Sequence, residues 1–203
     1  MAQRHRRRDE LRQSIAAEAA RIMLASGNRD YYQAKTKAAA RLGVSADSDL
    51  PRNADVDTAL KAHLELYAPD AHRQRTRDLR HAALASMKFL ADFSPRLVGP
   101  VLHGTADEHS PVTLHVFSDA AEAVALFLDQ RSIPFDQEDR VVRLDRKRSE
   151  RVPCFSFRAG EHTMELLVFS TRQQRQSPLC PIEGRSMKRA GSAALQQLLD
   201  QGG

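Results

Sequence analysis

The fold is decided by residues 98–119, VGPVLHGTADEHSPVTLHVFSD, where two apolar runs enclose a polar segment rich in glycine, proline and acidic residues. Apolar and polar side chains alternate from Val112 to Phe117, as in a strand with one buried face. The face that we expect in the core holds Val112, Leu114 and Val116. Thr113 and His115 share the opposite face, so we expect His115 to look into a hollow beside the polar turn.

The residues on both sides of this stretch extend the β pattern. A preceding strand is predicted at Arg96–Leu102, and Asp119 with Glu122 has the spacing of a capping box, so Asp119 is predicted to cap a helix. The remaining predicted elements are strands at Val141–Leu144, Val152–Arg158 and Thr163–Phe169, the last two joined as a hairpin across residues 159–162, and a closing helix at Ser192–Leu199. This half of the chain is therefore predicted to form a mixed sheet with flanking helices.

The first half of the chain has a helical pattern throughout. Apolar residues recur at steps of three and four, and glycine or proline ends each segment. The four predicted helices cover Glu10–Ala25, residues 30–42, Asp55–Tyr67 and Asp70–Phe93. We therefore predict an α+β fold, with a helical domain at residues 1–93 and a mixed α/β domain at residues 94–203.

The composition is that of a globular protein. The chain has 203 residues, of which 41% are hydrophobic and 28% are charged. No apolar run reaches the roughly 18 to 20 residues that cross a bilayer, and the basic start has no apolar stretch after it, as an export signal would. We expect a soluble cytoplasmic protein that does not bind a membrane. Its two cysteines, Cys154 and Cys180, are expected to be reduced thiols.

The net charge of +5 is gathered in basic stretches. These stretches are Gln3–Arg8, His72–Arg80, Arg143–Arg151 and Arg185–Arg189. Such clusters can attract the phosphates of a nucleotide or of RNA, although acidic residues inside two of them are more typical of a solvated surface. No aromatic residues are interleaved, which argues against stacking on single-stranded bases.

A strand, a polar turn, a second strand and a capped helix are predicted to follow one another here. In this order and in its residues, Val98–Asp119 resembles the signature of the nucleotidyltransferase superfamily. In that family a strand leads into a Gly-Ser turn, and an Asp-x-Asp pair follows in the second strand. Gly99 falls on the family glycine, Pro100 on the serine, and Gly104 on a second small turn residue. The resemblance implies that Gly99, Gly104 and Ser110 shape a turn that approaches phosphate.

The two carboxylates that hold Mg²⁺ in this family are replaced. Their positions fall on Pro111 and Thr113, which supply no anionic oxygen to a hard cation. The resemblance therefore implies either a catalytically degenerate protein or one with displaced carboxylates. In the second case Mg²⁺ with an NTP would be the cofactor, and the candidate metal ligands are Asp107, Glu108 and Glu165.

The resemblance places the candidate catalytic residues, His115 and Glu165, at the cleft, with Glu165 on the neighbouring strand where the family often carries its third carboxylate. Arg185 and Lys188 belong to a loop, Ser177–Arg189, that could close over the cleft and contact phosphate. Each candidate has a structural alternative. His115 also fits a hydrogen-bonded core histidine, the acidic turn also fits a solvated loop, and the proline-rich loop also fits a rigid connector at the sheet edge.

Other catalytic classes find no support in the sequence, because no Walker, Gly-x-Gly-x-x-Gly, Gly-x-Ser-x-Gly or His-Glu-x-x-His motif occurs. The leading hypothesis is a nucleotidyltransferase-like protein that binds a nucleotide or phosphorylated ligand. The alternative is a non-catalytic interaction module whose basic surface docks RNA or an acidic protein.

Overall fold

The computed structural model describes residues 2–44, 50–67 and 69–201. The chain divides into two compact units, Met1–His72 with Pro181–Glu183, and Arg73–Cys180 with Gly184–Gly203. The predicted α+β class is confirmed, since helices dominate the first part and a five-stranded mixed sheet follows. Within these described ranges, no helix has the length and apolar character needed to span a membrane.

Three helices build the first unit. They are α1 (Ala2–Ser26), α2 (Tyr31–Arg41) and α3 (Asn53–Tyr67). The side chain of Asp30 accepts a hydrogen bond from the Gln33 amide and so caps α2, as the sequence predicts. The fully buried residues of this unit include Ile15, Ala19, Met23, Ala38, Val56 and Leu60. Apart from Ala38, these residues come from the predicted apolar stripes, so α1 and α3 pack through the expected faces.

Helix α4 spans Pro69–Phe89, and a short 3-10 helix follows at Ala91–Phe93. The sequence predicts one continuous helix to Phe93. The chain instead tightens into the 3-10 turn and then reverses at Ser94, whose φ is +49°. Pro95 comes next and cannot continue a helix, which explains why the α-helical hydrogen bonds end early.

The sheet lies in the second unit. Its strands are β1 (Arg96–Val98), β2 (Val112–Phe117), β3 (Phe135–Arg143), β4 (Ser149–Ala159) and β5 (His162–Phe169), in the order β1-β2-β5-β4-β3. Only the β2–β5 pair is parallel. Three more helices, α5 (Gly99–His103), α6 (Ala121–Asp129) and α7 (Ser192–Asp200), complete the unit.

One face of the sheet forms the main core. The predicted inward residues of β2 are all fully buried there, namely Val112, Leu114 and Val116. They pack in one cluster with Leu84 and Met87 of α4 and with residues of α6 and α7. The opposite face, called here the second face, carries Thr113 and His115 of β2. A smaller apolar cluster of Phe117, Val152, Cys154, Leu167 and Phe169 covers part of this face.

Several predicted boundaries are wrong for identifiable reasons. The predicted strand Arg96–Leu102 ends at Val98, because Gly99 has a φ of +74° and starts α5. Strand β3 begins at Phe135 instead of Val141. Its residues at 136–141 are exposed on the sheet edge, so no apolar alternation marks them in the sequence.

Asp119 does not cap α6. Its carboxylate accepts hydrogen bonds from the Thr171 amide at 3.0 Å and from the Thr171 hydroxyl at 2.8 Å. These bonds lower the pKa of Asp119 below its usual range. The residue at the cap position of α6 is Ala120, and it makes no side-chain cap. The carboxylate is therefore used to hold the segment after β5, a contact between residues distant in sequence.

Candidate functional site

The polar turn before β2 is closed by its own side chains. The Asp107 carboxylate accepts hydrogen bonds from the Ser110 hydroxyl at 2.7 Å and from the His109 amide at 3.1 Å. The Asp107 amide in turn donates to the Ser110 hydroxyl at 2.9 Å. Both side chains are buried, whereas Glu108 is exposed. The turn is therefore a defined structure and not a loose solvated loop.

A cavity of about 470 Å³ lies beside this turn, at the end of the sheet where β2 and β5 begin. The described residues that line it are Arg75 and Leu79 of α4, Asp107, Glu108, His109 and Ser110 of the turn, and Arg158, Glu161, His162 and Thr163 of the β4–β5 hairpin. We call it the turn cavity. Its lining combines two guanidinium groups with carboxylates, imidazoles and hydroxyls, which suits a polar ligand.

Glu165 is held on the second face, next to the turn cavity. It lies directly opposite Thr113 in the parallel β2–β5 pair, and the Thr113 hydroxyl donates to Glu165 Oε2 at 3.3 Å. Arg140 Nη2 donates to Glu165 Oε1 at 3.0 Å. The Glu165 carboxylate is thus neutralised by an arginine. Burial, and then the nearby Glu165 charge, raises the pKa of the Cys154 thiol to about 11.

The residues do not fit a Mg²⁺ site of the kind that the resemblance implies. Across the described residues, no group of three or more His, Cys, Asp or Glu side chains is placed to hold a metal ion. Asp107 is engaged by the turn, Glu108 lies with it at the turn cavity, and Glu165 is paired with Arg140. The expected ligand set of Asp107, Glu108 and Glu165 is therefore not brought together.

His115 does not face a hollow. Only 1% of its surface is exposed, its ring lies 4.5 Å from the Phe169 ring, and its Nδ1 accepts a hydrogen bond from Arg189 Nε at 2.9 Å. Burial, together with the Arg189 charge, lowers the pKa of His115 to about 3. The prediction that His115 looks into a hollow is wrong, because the segment after β5 folds back over this part of the sheet. Its neutral imidazole acts as a hydrogen-bond acceptor.

The guanidinium of Arg189 holds that segment in place. Its Nη1 donates to the Gln173 carbonyl at 2.8 Å, and its carbon lies 5.0 Å from the centre of the Phe117 ring. Burial, and then repulsion from Arg96, lowers the pKa of Arg189 to about 10, so the group stays charged at neutral pH. Arg189 therefore joins the loop to the second face through polar and cation–π contacts.

The remaining predicted site residues lie outside the turn cavity. Gly104 ends α5 with a φ of +72°, and a Cβ there would lie 3.7 Å from Arg80 Nη2. Arg80 in turn donates to the last carbonyls of α5, which gives it a capping role. Arg185 and Lys188 are both exposed. Of the predicted phosphate-turn residues, only Ser110 lines the turn cavity, and Gly99 and Gly104 do not appear among its described lining residues.

The loop Ser177–Arg189 is attached at both ends. The Leu179 amide donates to the Arg143 carbonyl at 2.6 Å, at the end of β3. Just beyond the loop, Ala190 exchanges two backbone hydrogen bonds with Leu97 of β1. These contacts favour the rigid connector over a loop that closes on a ligand.

The sequence does not predict the lining residues that come from α4 and from the β4–β5 hairpin, among them Arg75, Arg158 and Thr163. Arg75 lies within the basic stretch His72–Arg80, and Arg158 and Thr163 flank the predicted hairpin turn. The predicted hairpin could have indicated Arg158 and Thr163, because the start of β5 lies beside the start of its parallel partner β2. Arg140 carried no signal, since its partner Glu165 is 25 residues away in sequence.

Comparisons with known proteins find no relative of this chain. No protein-family model matches the chain, and neither a curated protein nor a solved structure matches it. The resemblance of residues 98–119 to a family signature therefore stays an expectation from the residues alone.

Proposed function

We propose that this protein binds a nucleotide or another phosphorylated small molecule in the turn cavity. The observation that carries the proposal is the pair of arginines, Arg75 and Arg158, that line the cavity together with the Asp107–Ser110 turn. A guanidinium group is the side chain best suited to bind phosphate, because its planar fork of donors matches two phosphate oxygens.

Both arginines retain their capacity to bind an anion. Arg75 is half-buried on α4 and makes no hydrogen bond or ion pair with the described residues. Arg158 donates to the neutral hydroxyl of Thr163 at 3.3 Å. Arg158 is exposed, whereas the half-buried Arg75 gains more from an anionic ligand than a fully solvated cation would, because water screens it less.

The remaining lining residues complement the less charged part of such a ligand. Glu108 and Glu161 can accept hydrogen bonds from sugar hydroxyls or from the amino groups of a base. The cavity volume of about 470 Å³ lies within the roughly 300 to 1,000 Å³ typical of small-molecule sites. A nucleotide therefore matches the cavity in size and in the arrangement of charge.

We further propose that the protein is catalytically degenerate as a nucleotidyltransferase. Pro111 and Thr113 offer no carboxylate, and Glu165 is already paired with Arg140. Two-metal transfer chemistry needs carboxylates that clamp both cations, and these positions do not supply them. The side chains present at these positions therefore support binding of the ligand without transfer of a nucleotidyl group.

Isothermal titration calorimetry tests the binding proposal, with ATP, GTP, CTP and UTP titrated in turn, each with and without Mg²⁺. We expect Arg75→Gln and Arg158→Gln each to weaken binding about tenfold, the usual effect of losing one charged hydrogen-bonded contact. Arg77→Gln on α4 and Arg151→Gln on β4 are matched controls, because both side chains are exposed and neither appears in the described lining. Absence of heat at about millimolar nucleotide, or equal losses in the control variants, would contradict the proposal.

A second candidate is an interaction module that docks RNA or an acidic protein. It is favoured by the exposed tip of the β3–β4 hairpin, which carries Arg146, Lys147 and Arg148. A nucleic-acid partner at this tip would bind with steep salt dependence, because each neutralised phosphate releases counterions. Binding of a fluorescent RNA at two salt concentrations, with Lys147→Gln as the variant, separates this candidate from ligand binding in the turn cavity.

A further inference from the structure

Arg140 lies between two carboxylates on the second face of the sheet. Its guanidinium donates from Nη2 to Glu165 at 3.0 Å and from Nε to Glu138. The Glu165 side chain is only 16% exposed, whereas that of Arg140 is 47% exposed. Burial alone would lower the pKa of Arg140, but Glu165 and Glu138 outweigh it and raise the pKa above its ordinary value. The carboxylates and the guanidinium are thus mutually stabilised.

This ion cluster is adjacent to the turn cavity. Thr163 lines the cavity, and Glu165 follows two residues later on the same face of β5, about 7 Å along the strand. Thr113 contributes its hydroxyl to the same carboxylate at 3.3 Å. The positive charge of Arg140 therefore lies between two carboxylates, one of which also accepts from the Thr113 hydroxyl, beside the proposed phosphate site. Carboxylate and hydroxyl oxygens are the donors that attract a hard divalent cation.

We propose that Arg140 takes the position of a divalent cation in this protein, so that the phosphorylated ligand of the turn cavity is bound without Mg²⁺. The guanidinium neutralises Glu138 and Glu165, and the negative charge that would recruit a metal ion is thereby cancelled. Without Arg140 the same carboxylates would also repel an incoming phosphate. The part of this inference that concerns the ligand rests on the proposed function, whereas the part that concerns the cation position does not.

Manganese alone tests the cation position, with electron paramagnetic resonance measuring free Mn²⁺ during titration. The proteins are the wild type, Glu165→Gln, Arg140→Met, Arg140→Lys and the double variant Arg140→Met with Glu165→Gln. We expect Arg140→Met to bind Mn²⁺ at least about tenfold more tightly than the wild type, because it frees two carboxylates. The double variant should return to wild-type affinity, and Arg140→Lys should stay near it because lysine keeps the charge.

Two results of the Mn²⁺ titrations would overturn the inference. One is saturable Mn²⁺ binding by the wild type that Glu165→Gln abolishes, and the other is no gain in the Arg140→Met variant while its circular dichroism remains that of the wild type. A second measurement uses the unaltered protein. ATP titrated in EDTA and in Mg²⁺ should bind equally within about twofold, and binding at least about tenfold tighter with Mg²⁺ would also overturn it. If no ATP binds under either condition, the proposed function fails, and the Mn²⁺ series still decides the role of Arg140.

Discussion

Arg189 donates a hydrogen bond from Nε to Nδ1 of His115 at 2.9 Å, between residues 74 apart in sequence. The bond requires an unprotonated acceptor nitrogen, and the burial of His115 keeps its pKa at about 3. A positive imidazolium in that place would face a guanidinium in a site that excludes water. The contact therefore joins the second face of the sheet to the segment after β5 only while His115 is neutral.

The free energy of unfolding should decrease as the pH falls, and part of this decrease should depend on His115. The pKa of this group is about 3 in the folded state and 6.5 in its ordinary state, so the unfolded chain takes up a proton between these values while the folded chain does not. Folding stability is thus fully present above pH 6.5 and is lost as the pH falls towards 3. We expect the wild type to lose about 1 kcal/mol per pH unit more than His115→Asn between about pH 6 and about pH 4.

Urea unfolding of the wild type and of His115→Asn at a series of pH values measures this difference. Using the difference cancels the contribution of the carboxylates, which titrate in both proteins. Parallel stability curves for the two proteins would show that His115 is protonated in the folded state as readily as in the unfolded chain.

Replacing Arg189 by Met should destabilise the fold. The variant leaves the His115 nitrogen and the Gln173 carbonyl without their donor and removes the cation–π contact with Phe117. We expect a loss of about 2 to 3 kcal/mol in the free energy of unfolding, typical of buried hydrogen bonds to a charged group. Arg185→Met is the matched control, since Arg185 is exposed on the same loop, and it should change the free energy by less than about 0.5 kcal/mol. Equal effects in chemical denaturation would contradict the assigned role of Arg189.

Replacing Gly99 should lower the free energy of unfolding because of its backbone conformation and not because a side chain would clash with its neighbours. Its φ of +74° lies in the left-handed region, and among the described residues outside its own helix and chain neighbours no atom lies within 4 Å of the position that a Cβ would take there. Gly99→Ala is expected to lower the free energy of unfolding by about 1 kcal/mol, whereas Gly99→Asn should lose less, because asparagine tolerates this conformation. Thermal unfolding of the two variants provides the comparison, and an alanine variant as stable as the wild type would refute the assignment.

Elements with strong local signals could be predicted closely. The apolar alternation of β2, the Asp30 cap of α2 and the hairpin across residues 159–162 are all confirmed. The boundaries of β1 and β3 could not be predicted closely. The end of β1 depends on a left-handed glycine, and the start of β3 lies on a sheet edge that is open to water. In the site, Asp107, Glu108 and Ser110 were predicted next to a recess and they line the turn cavity.

The sequence alone determined the helical and strand periodicity, the faces that enter the core, and the absence of a carboxylate at positions 111 and 113. These properties depend on neighbours along the chain, where the spacing of side chains is set by helix and strand geometry. Only the tertiary structure decided that Arg140 neutralises Glu165 and that Arg189 covers His115. Long flexible side chains reach across strands, and which of many arginines meets a given acceptor depends on the path of the whole chain, so no local pattern encodes those contacts.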